Sequence, residues 1–250
     1  MLSPVETLSI GDGAPRALVI HGNDLAGPFY RGLGEALAER GIASQLATLP
    51  GFHRVPPLAN PGWPPMVDLV EAALPHPQTI LVGHSMGGLL ALLVAARRPP
   101  ALAHLVLLEP LVLPSRWLAR AAGRGYLRSV VRGDRSRFEN WNGAARRVHD
   151  PDRYPRAMID LYLEVRQTSD RATAEALFGN LADTHPIPVD RIAAPTLLIE
   201  GAEAGWRGRA LRRGLRRKLR PEYRRIAGAA HWIANEADDQ VARAIAELVG

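Results

Sequence analysis

The stretch Thr79-Ile80-Leu81-Val82-Gly83-His84-Ser85-Met86-Gly87, continuing through Gly88 to Arg98, decides how the rest of the chain is read. Thr79 to Val82 is a short apolar run, as expected of a strand covered on both faces. Gly88 to Arg98 carries Leu, Ala and Val on nearly every side, the composition of a buried helix. Between the two lies Gly83-x-Ser85-x-Gly87. A serine held at a sharp strand-to-helix turn has a strained backbone, and its neighbours two residues away on each side must be tiny for the chain to pass. The helix that starts just after Ser85 also directs its positive end at the hydroxyl, which favours an oxyanion formed during acyl transfer.

Outward from this unit the strand-helix pattern repeats. Ala17 to Ile20 is another continuous apolar run, ending at His21-Gly22; Leu33 and Leu37 then lie four apart, with Pro28 before them and Gly41 as a stop. Val5 to Ile10 alternates weakly and ends at the turn Gly11-Asp12-Gly13, and Ile42 to Leu49 reads as a strand closed by Pro50-Gly51. A proline-rich loop from His53 to Pro65 leads into a short helix around Met66 to Leu74. Leu105 to Leu108 ends at Glu109-Pro110, and Thr196 to Ile199 ends at Glu200-Gly201. A basic helix, a short strand near Tyr223 to Ile226, His231 and a terminal helix over Ala237 to Val249 complete the chain. Strands alternating with helices predict an α/β fold with a mostly parallel, doubly wound sheet. Leu111 to Pro188 has many arginines, no strand-like run, and the aromatics Trp117, Tyr126, Phe138, Trp141, Tyr154, Tyr162 and Phe178. It is too long for a loop inside a compact domain and reads as a helical cap. The expected division is a core of residues 1–110 and 189–250 with a cap over 111–188.

Composition narrows the chemistry. With 250 residues, 47% of them hydrophobic, the chain can bury a large core, and with no cysteine it has no disulfide, thiolate nucleophile or cysteine-bound metal. Ser, His, Asp and Glu must carry any catalysis. The net charge of +6 is almost all arginine, Lys218 being the only lysine, and no nucleic-acid motif accompanies it. Coding bias explains it better than a nucleic-acid partner. The start, Met1 to Arg16, carries Glu6 and Asp12 and lacks the pattern of a secretory signal, so the expected location is cytoplasmic. The longest apolar run, Leu89 to Ala96, is far short of the roughly 20 residues that cross a bilayer. No metal-ligand spacing and no glycine-rich nucleotide loop is present, so no cofactor is expected.

Gly83-His84-Ser85-Met86-Gly87-Gly88, together with His21-Gly22 after an earlier strand, resembles the α/β-hydrolase family, in motif order over nearly the whole chain. That resemblance implies an eight-stranded or slightly reduced sheet, a lid over the site, and the order nucleophile, acid, histidine. It also implies an oxyanion hole from the backbone N–H groups of Met86 and Asn23. A serine rather than an aspartate at the elbow argues against dehalogenase or epoxide hydrolase chemistry.

Of the eight histidines, His84 lies inside the elbow and should point away from the Ser85 hydroxyl, while His53, His76 and His149 sit in polar or proline-rich stretches and read as solvated. His231 follows the last strand in Gly228-Ala229-Ala230-His231-Trp232, a small-residue loop that can bring an imidazole over the strand ends. It is the candidate base. The acid departs from the family pattern: the positions where an Asp is common are Ala204 and Gly205. Glu109, fixed by Pro110 at a strand end, and Glu203 are the two candidates.

The expected activity is that of a serine hydrolase acting on an ester or related acyl bond of a small molecule. The alternative is a weakly active or inactive hydrolase scaffold that binds a small molecule, because a missing acid costs a triad on the order of 10⁴ in turnover. Oligomeric state is left open. Arg207 to Arg225 holds ten basic residues, with Leu211, Leu215 and Leu219 recurring every four, and is expected to pack its leucine stripe and solvate its arginines.

Overall fold

The computed structural model describes residues 5–75, 77–131 and 148–250. Its seven-stranded sheet consists of β1 (Glu6–Ile10), β2 (Ala17–Ile20), β3 (Ser44–Thr48), β4 (Thr79–His84), β5 (Leu102–Leu108), β6 (Thr196–Gly201) and β7 (Glu222–Ile226). The spatial order is β1-β3-β2-β4-β5-β6-β7. Only the β1–β3 pair is antiparallel. In register, Val19 lies beside Val82, Val82 beside Val106, and Val106 beside Leu197. The carboxyl ends of β2, β4, β5 and β6 therefore reach one edge together, and His21, Ser85, Glu109 and Ala202 follow them there.

The helices are α1 (Arg31–Ala38), α2 (Trp63–Ala72), α3 (Met86–Ala95), α4 (Arg116–Val131), α5 (Arg156–Thr168), α6 (Arg171–Gly179), α7 (Trp206–Leu219), α8 (Ile233–Glu236) and α9 (Asp238–Val249). The strand side chains alternate between two cores. Leu18, Leu81, Leu105, Leu107 and Leu198 pack with α2 and α3 on one face. Val19, Val82, Val106, Leu197 and Ile199 pack with α1 and α9 on the other. This two-sided burial is why β4 and β6 lack a polar alternation.

Between β5 and β6 the described chain is helical, as expected, with α4 to α6 and short 3-10 turns. Its aromatics join both cores: Tyr126 stacks on Phe178 with centroids 3.9 Å apart, while Tyr154 and Tyr162 pack against Trp232 at 5.5 and 5.2 Å. Phe138 and Trp141 lie outside the described residues, as does His76. Among the described residues, no helix is long and apolar enough to cross a membrane.

Candidate active site

Ser85 occupies the break between β4 and α3 with φ +52° and ψ −112°, a conformation costing a non-glycine residue on the order of 1–3 kcal/mol. Backbone hydrogen bonds from both neighbours hold it there. The Ser85 N–H donates to the Leu108 carbonyl at 3.0 Å, and the Ser85 carbonyl accepts from Leu111 N–H at 2.8 Å. The flanking glycines are required by space: a Cβ on Gly83 would collide with the Gly87 carbonyl, and one on Gly87 with the carbonyls of Ile20 and His21.

His231 Nε2 lies 3.2 Å from Ser85 Oγ, within reach of a proton transfer. Its other ring nitrogen, Nδ1, is 3.7 Å from Glu109 Oε2, an ion-pair distance. The histidine loop is fixed where it leaves β7. A Cβ on Gly201 would strike the Ala229 and Ala230 carbonyls, so the loop packs directly on the end of β6, and Ala230 N–H donates to Glu236 Oε2 at 2.9 Å.

Glu109 is 2% exposed and turns off β5 at φ +45°. Its Oε1 accepts from Gly201 N–H at 2.8 Å, and its Oε2 accepts from Arg212 Nη2 at 2.6 Å. Burial raises its pKa, and the Arg212 charge and the Gly201 N–H oppose that rise. Glu203 is placed differently. Its carboxylate is exposed and accepts from Gly228 N–H at 3.2 Å, closing the turn before the histidine loop; of the two candidate acids, the structure brings only Glu109 to His231.

Two histidines shape the site from behind. His21 Nε2 accepts from Leu49 N–H at 3.0 Å, so its proton sits on Nδ1 and is donated to the Gly22 carbonyl at 2.7 Å. Complete burial lowers its pKa to about 4 and keeps it neutral. The Tyr30 hydroxyl accepts from Gly22 N–H at 3.0 Å and donates to His84 Nδ1 at 2.6 Å. His84 must then carry its proton on Nε2, from which it donates to the His231 carbonyl at 2.7 Å. As expected, His84 points away from the hydroxyl; it connects the 22–24 loop to the backbone of the candidate base.

That loop lies against Ser85, since a Cβ on Gly22 would come 3.2 Å from Ser85 Cβ. Asn23 Nδ2 donates to the Tyr126 hydroxyl of α4 at 2.9 Å, and Asp24 pairs with Arg166 of α5 at 2.5 Å. Met86 is the first residue of α3, so its N–H has no partner within the helix.

Two expectations need correction. The basic helix α7 does not solvate all its arginines: Arg212 is buried between Glu109 and Glu200. It lies three residues before Leu215 and one after Leu211, on the stripe that faces inward, and an arginine in such a stripe signals a buried acid opposite. His53 is not fully solvated either, being half-buried with Nε2 3.4 Å from Glu164 Oε1; His149 is exposed. Among the described residues, no group of three or more acidic or histidine side chains is arranged to hold a metal.

The model of the alpha/beta hydrolase family matches residues 17–244, from β2 into α9. The chain belongs to that family. As an alpha/beta hydrolase it is 29% identical over 247 residues to the pimeloyl-(acyl-carrier protein) methyl ester esterase of Chromobacterium violaceum, covering 95% of this chain and 86% of that protein. Among solved structures, an esterase from Thermogutta terrifontis is similar with a TM-score of 0.77 at 20% identity, over 98% of this chain and 92% of that one. The 2-hydroxy-6-oxo-6-phenylhexa-2,4-dienoate hydrolase of Rhodococcus sp. strain RHA1 also has a TM-score of 0.77, at 17% identity, over 98% of this chain and 99% of that one. At these identities the structural likeness speaks for the fold alone. The alpha/beta hydrolase assignment makes the chain a hydrolase, and its sheet is the reduced, seven-stranded form.

Proposed function

We propose that this hydrolase cleaves carboxylic esters through Ser85, His231 and Glu109. The observation that carries the reading is the position of His231 between the Ser85 hydroxyl and the Glu109 carboxylate. His231 Nε2 takes the proton as Ser85 Oγ attacks the acyl carbon, and Glu109 stabilises the imidazolium that forms. The oxyanion is held by the backbone N–H groups of Met86 and Asn23. The carbon–oxygen bond to the alcohol then breaks, His231 returns the proton to the leaving alkoxide, and water repeats the sequence to release the acid. The esterase relative is named for a methyl ester of a carrier-bound acyl chain, which favours a small alcohol and an extended acyl part as the substrate class.

Residues 111–188 serve as the cap in this reading. Support comes from the contacts of Asn23 with Tyr126 and of Asp24 with Arg166, which tie the oxyanion loop to α4 and α5. The test is covalent labelling with a fluorophosphonate probe alongside hydrolysis of short p-nitrophenyl esters. Labelling and turnover in the wild type, both lost in Ser85→Ala, are expected. A wild type that neither labels nor turns over would instead favour a small-molecule binding scaffold.

A further inference from the structure

Arg212 occupies the oxygen that a triad histidine needs. Its Nη2 donates to Glu109 Oε2 at 2.6 Å, the same atom that lies 3.7 Å from His231 Nδ1. One guanidinium on one carboxylate would cancel the negative charge that steadies the imidazolium. The structure supplies a second carboxylate. Arg212 Nε donates to Glu200 Oε1, and Glu200 is wholly buried. Glu200 Oε2 accepts from the Tyr223 hydroxyl at 2.8 Å, with Arg216 Nη1 farther off at 3.9 Å and part-exposed. Gly208, one turn before Arg212 on α7, leaves room for the guanidinium: a Cβ there would lie 3.1 Å from Nη2.

Resting on the ester-hydrolase reading above, we propose that Arg212 and Glu200 are positioning residues, and that Glu109, Arg212 and Glu200 act together as one composite acid. The buried part of the cluster, two carboxylates and one guanidinium, carries a single net negative charge, the charge a lone triad aspartate would supply; Arg216 is longer-range, part-exposed and screened by water. Arg212 fixes the Glu109 carboxylate and keeps it ionised in its buried setting, while Glu200 restores the charge that Arg212 removes. Other polar groups of the described residues around the cluster and His231 include Gly201 N–H on Glu109, the Tyr223 hydroxyl and Arg216 on Glu200, and His84, whose ring centroid is 5.0 Å from that of His231. Glu236 braces the loop through Ala230 N–H.

The composite predicts opposite pH effects from its two outer members. Removing Arg212 takes a cation from beside Glu109 and His231, so the imidazole keeps its proton to higher pH and the acid limb of the kcat/KM profile moves up. Removing the Glu200 charge lets Arg212 hold Glu109 more strongly, so that limb moves down.

The experiment compares Arg212→Met, Arg212→Lys and Glu200→Gln with the wild type on a p-nitrophenyl ester across pH, with folding checked by circular dichroism. Arg212→Met should lower kcat by about 10²-fold at little change in KM, the cost of a misplaced catalytic group. Arg212→Lys should recover part of the loss. Glu200→Gln, which preserves shape, should displace the acid limb downward by roughly half a unit. Should Arg212→Met not fold, Glu200→Gln and Arg212→Lys decide: wild-type profiles in both overturn the proposal. Acid limbs moving in the same direction for Arg212→Met and Glu200→Gln would also overturn it. A wild type without esterase activity removes the triad reading and this one together, whereas turnover that falls in Glu109→Gln but in none of these variants removes only the composite acid.

Discussion

The proposed nucleophile, Ser85, and the proposed acid, Glu109, stand at the carboxyl ends of adjacent strands, yet the fold holds them by different means. Ser85 is fixed by its own backbone: strained dihedrals, two glycines with no space for a Cβ, and hydrogen bonds to the next strand and the segment beyond it. Glu109 is fixed by side chains and amides from elsewhere, Arg212 from α7 and Gly201 at the end of β6. A local device survives changes in distant residues, whereas a device built from charge pairs depends on each partner remaining in place. The serine side of the site should therefore be sensitive to sterics and the acid side to charge.

The largest effect is expected at the acid itself. Glu109→Gln should lower ester turnover by about 10²–10⁴-fold, since the imidazole loses its charge partner and orientation; Glu203→Gln, at an exposed turn, should remain within about twofold of wild type. The reverse ranking in steady-state assays would return Glu203 to the site. On the steric side, Gly87→Ala drives a Cβ into two backbone carbonyls that cannot move aside without disturbing β2. A loss of about 3 kcal/mol or more by urea denaturation is expected, together with lost labelling of Ser85.

His21 gives a subtler probe of the backbone side. Its folded pKa of about 4 lies below the ordinary histidine value of 6.5, so its contribution to stability is present above pH 6.5 and is lost as pH falls towards 4. Unfolding free energy should drop by about 2 kcal/mol between pH 7 and pH 5 from this group, and His21→Gln should flatten that part of the curve. The smallest effect is expected at the tether to the proposed cap: Tyr126→Phe removes one part-buried hydrogen bond to Asn23, worth about 1 kcal/mol. It should appear as a severalfold rise in KM with little change in kcat.

Much of this could be read along the chain. The strands at Ala17 to Ile20, Thr79 to Val82, Leu105 to Leu108 and Thr196 to Ile199 were legible because a buried parallel strand is an unbroken apolar run. Ser85 was legible because its turn demands glycine at fixed offsets, and His231 because a small-residue loop after the last strand leaves an imidazole room. The acid was legible only as a choice between Glu109 and Glu203, since both follow a strand end and neither spacing states which way a carboxylate turns. Tyr30 and His84 were not legible as a pair, because their contact joins the chain on either side of β3 and α2.

By itself the sequence determined the order of strands and helices, the elbow and the candidate for the base, all features set by periodicity or by residues within a few positions of one another. Only the tertiary structure decided that Glu109 faces His231 while Glu203 faces solvent, and that one arginine of a basic helix is buried between two glutamates. The reason is physical: backbone sterics act between neighbours in the chain, whereas the cost of burying a charge is settled by whichever groups the completed fold brings beside it.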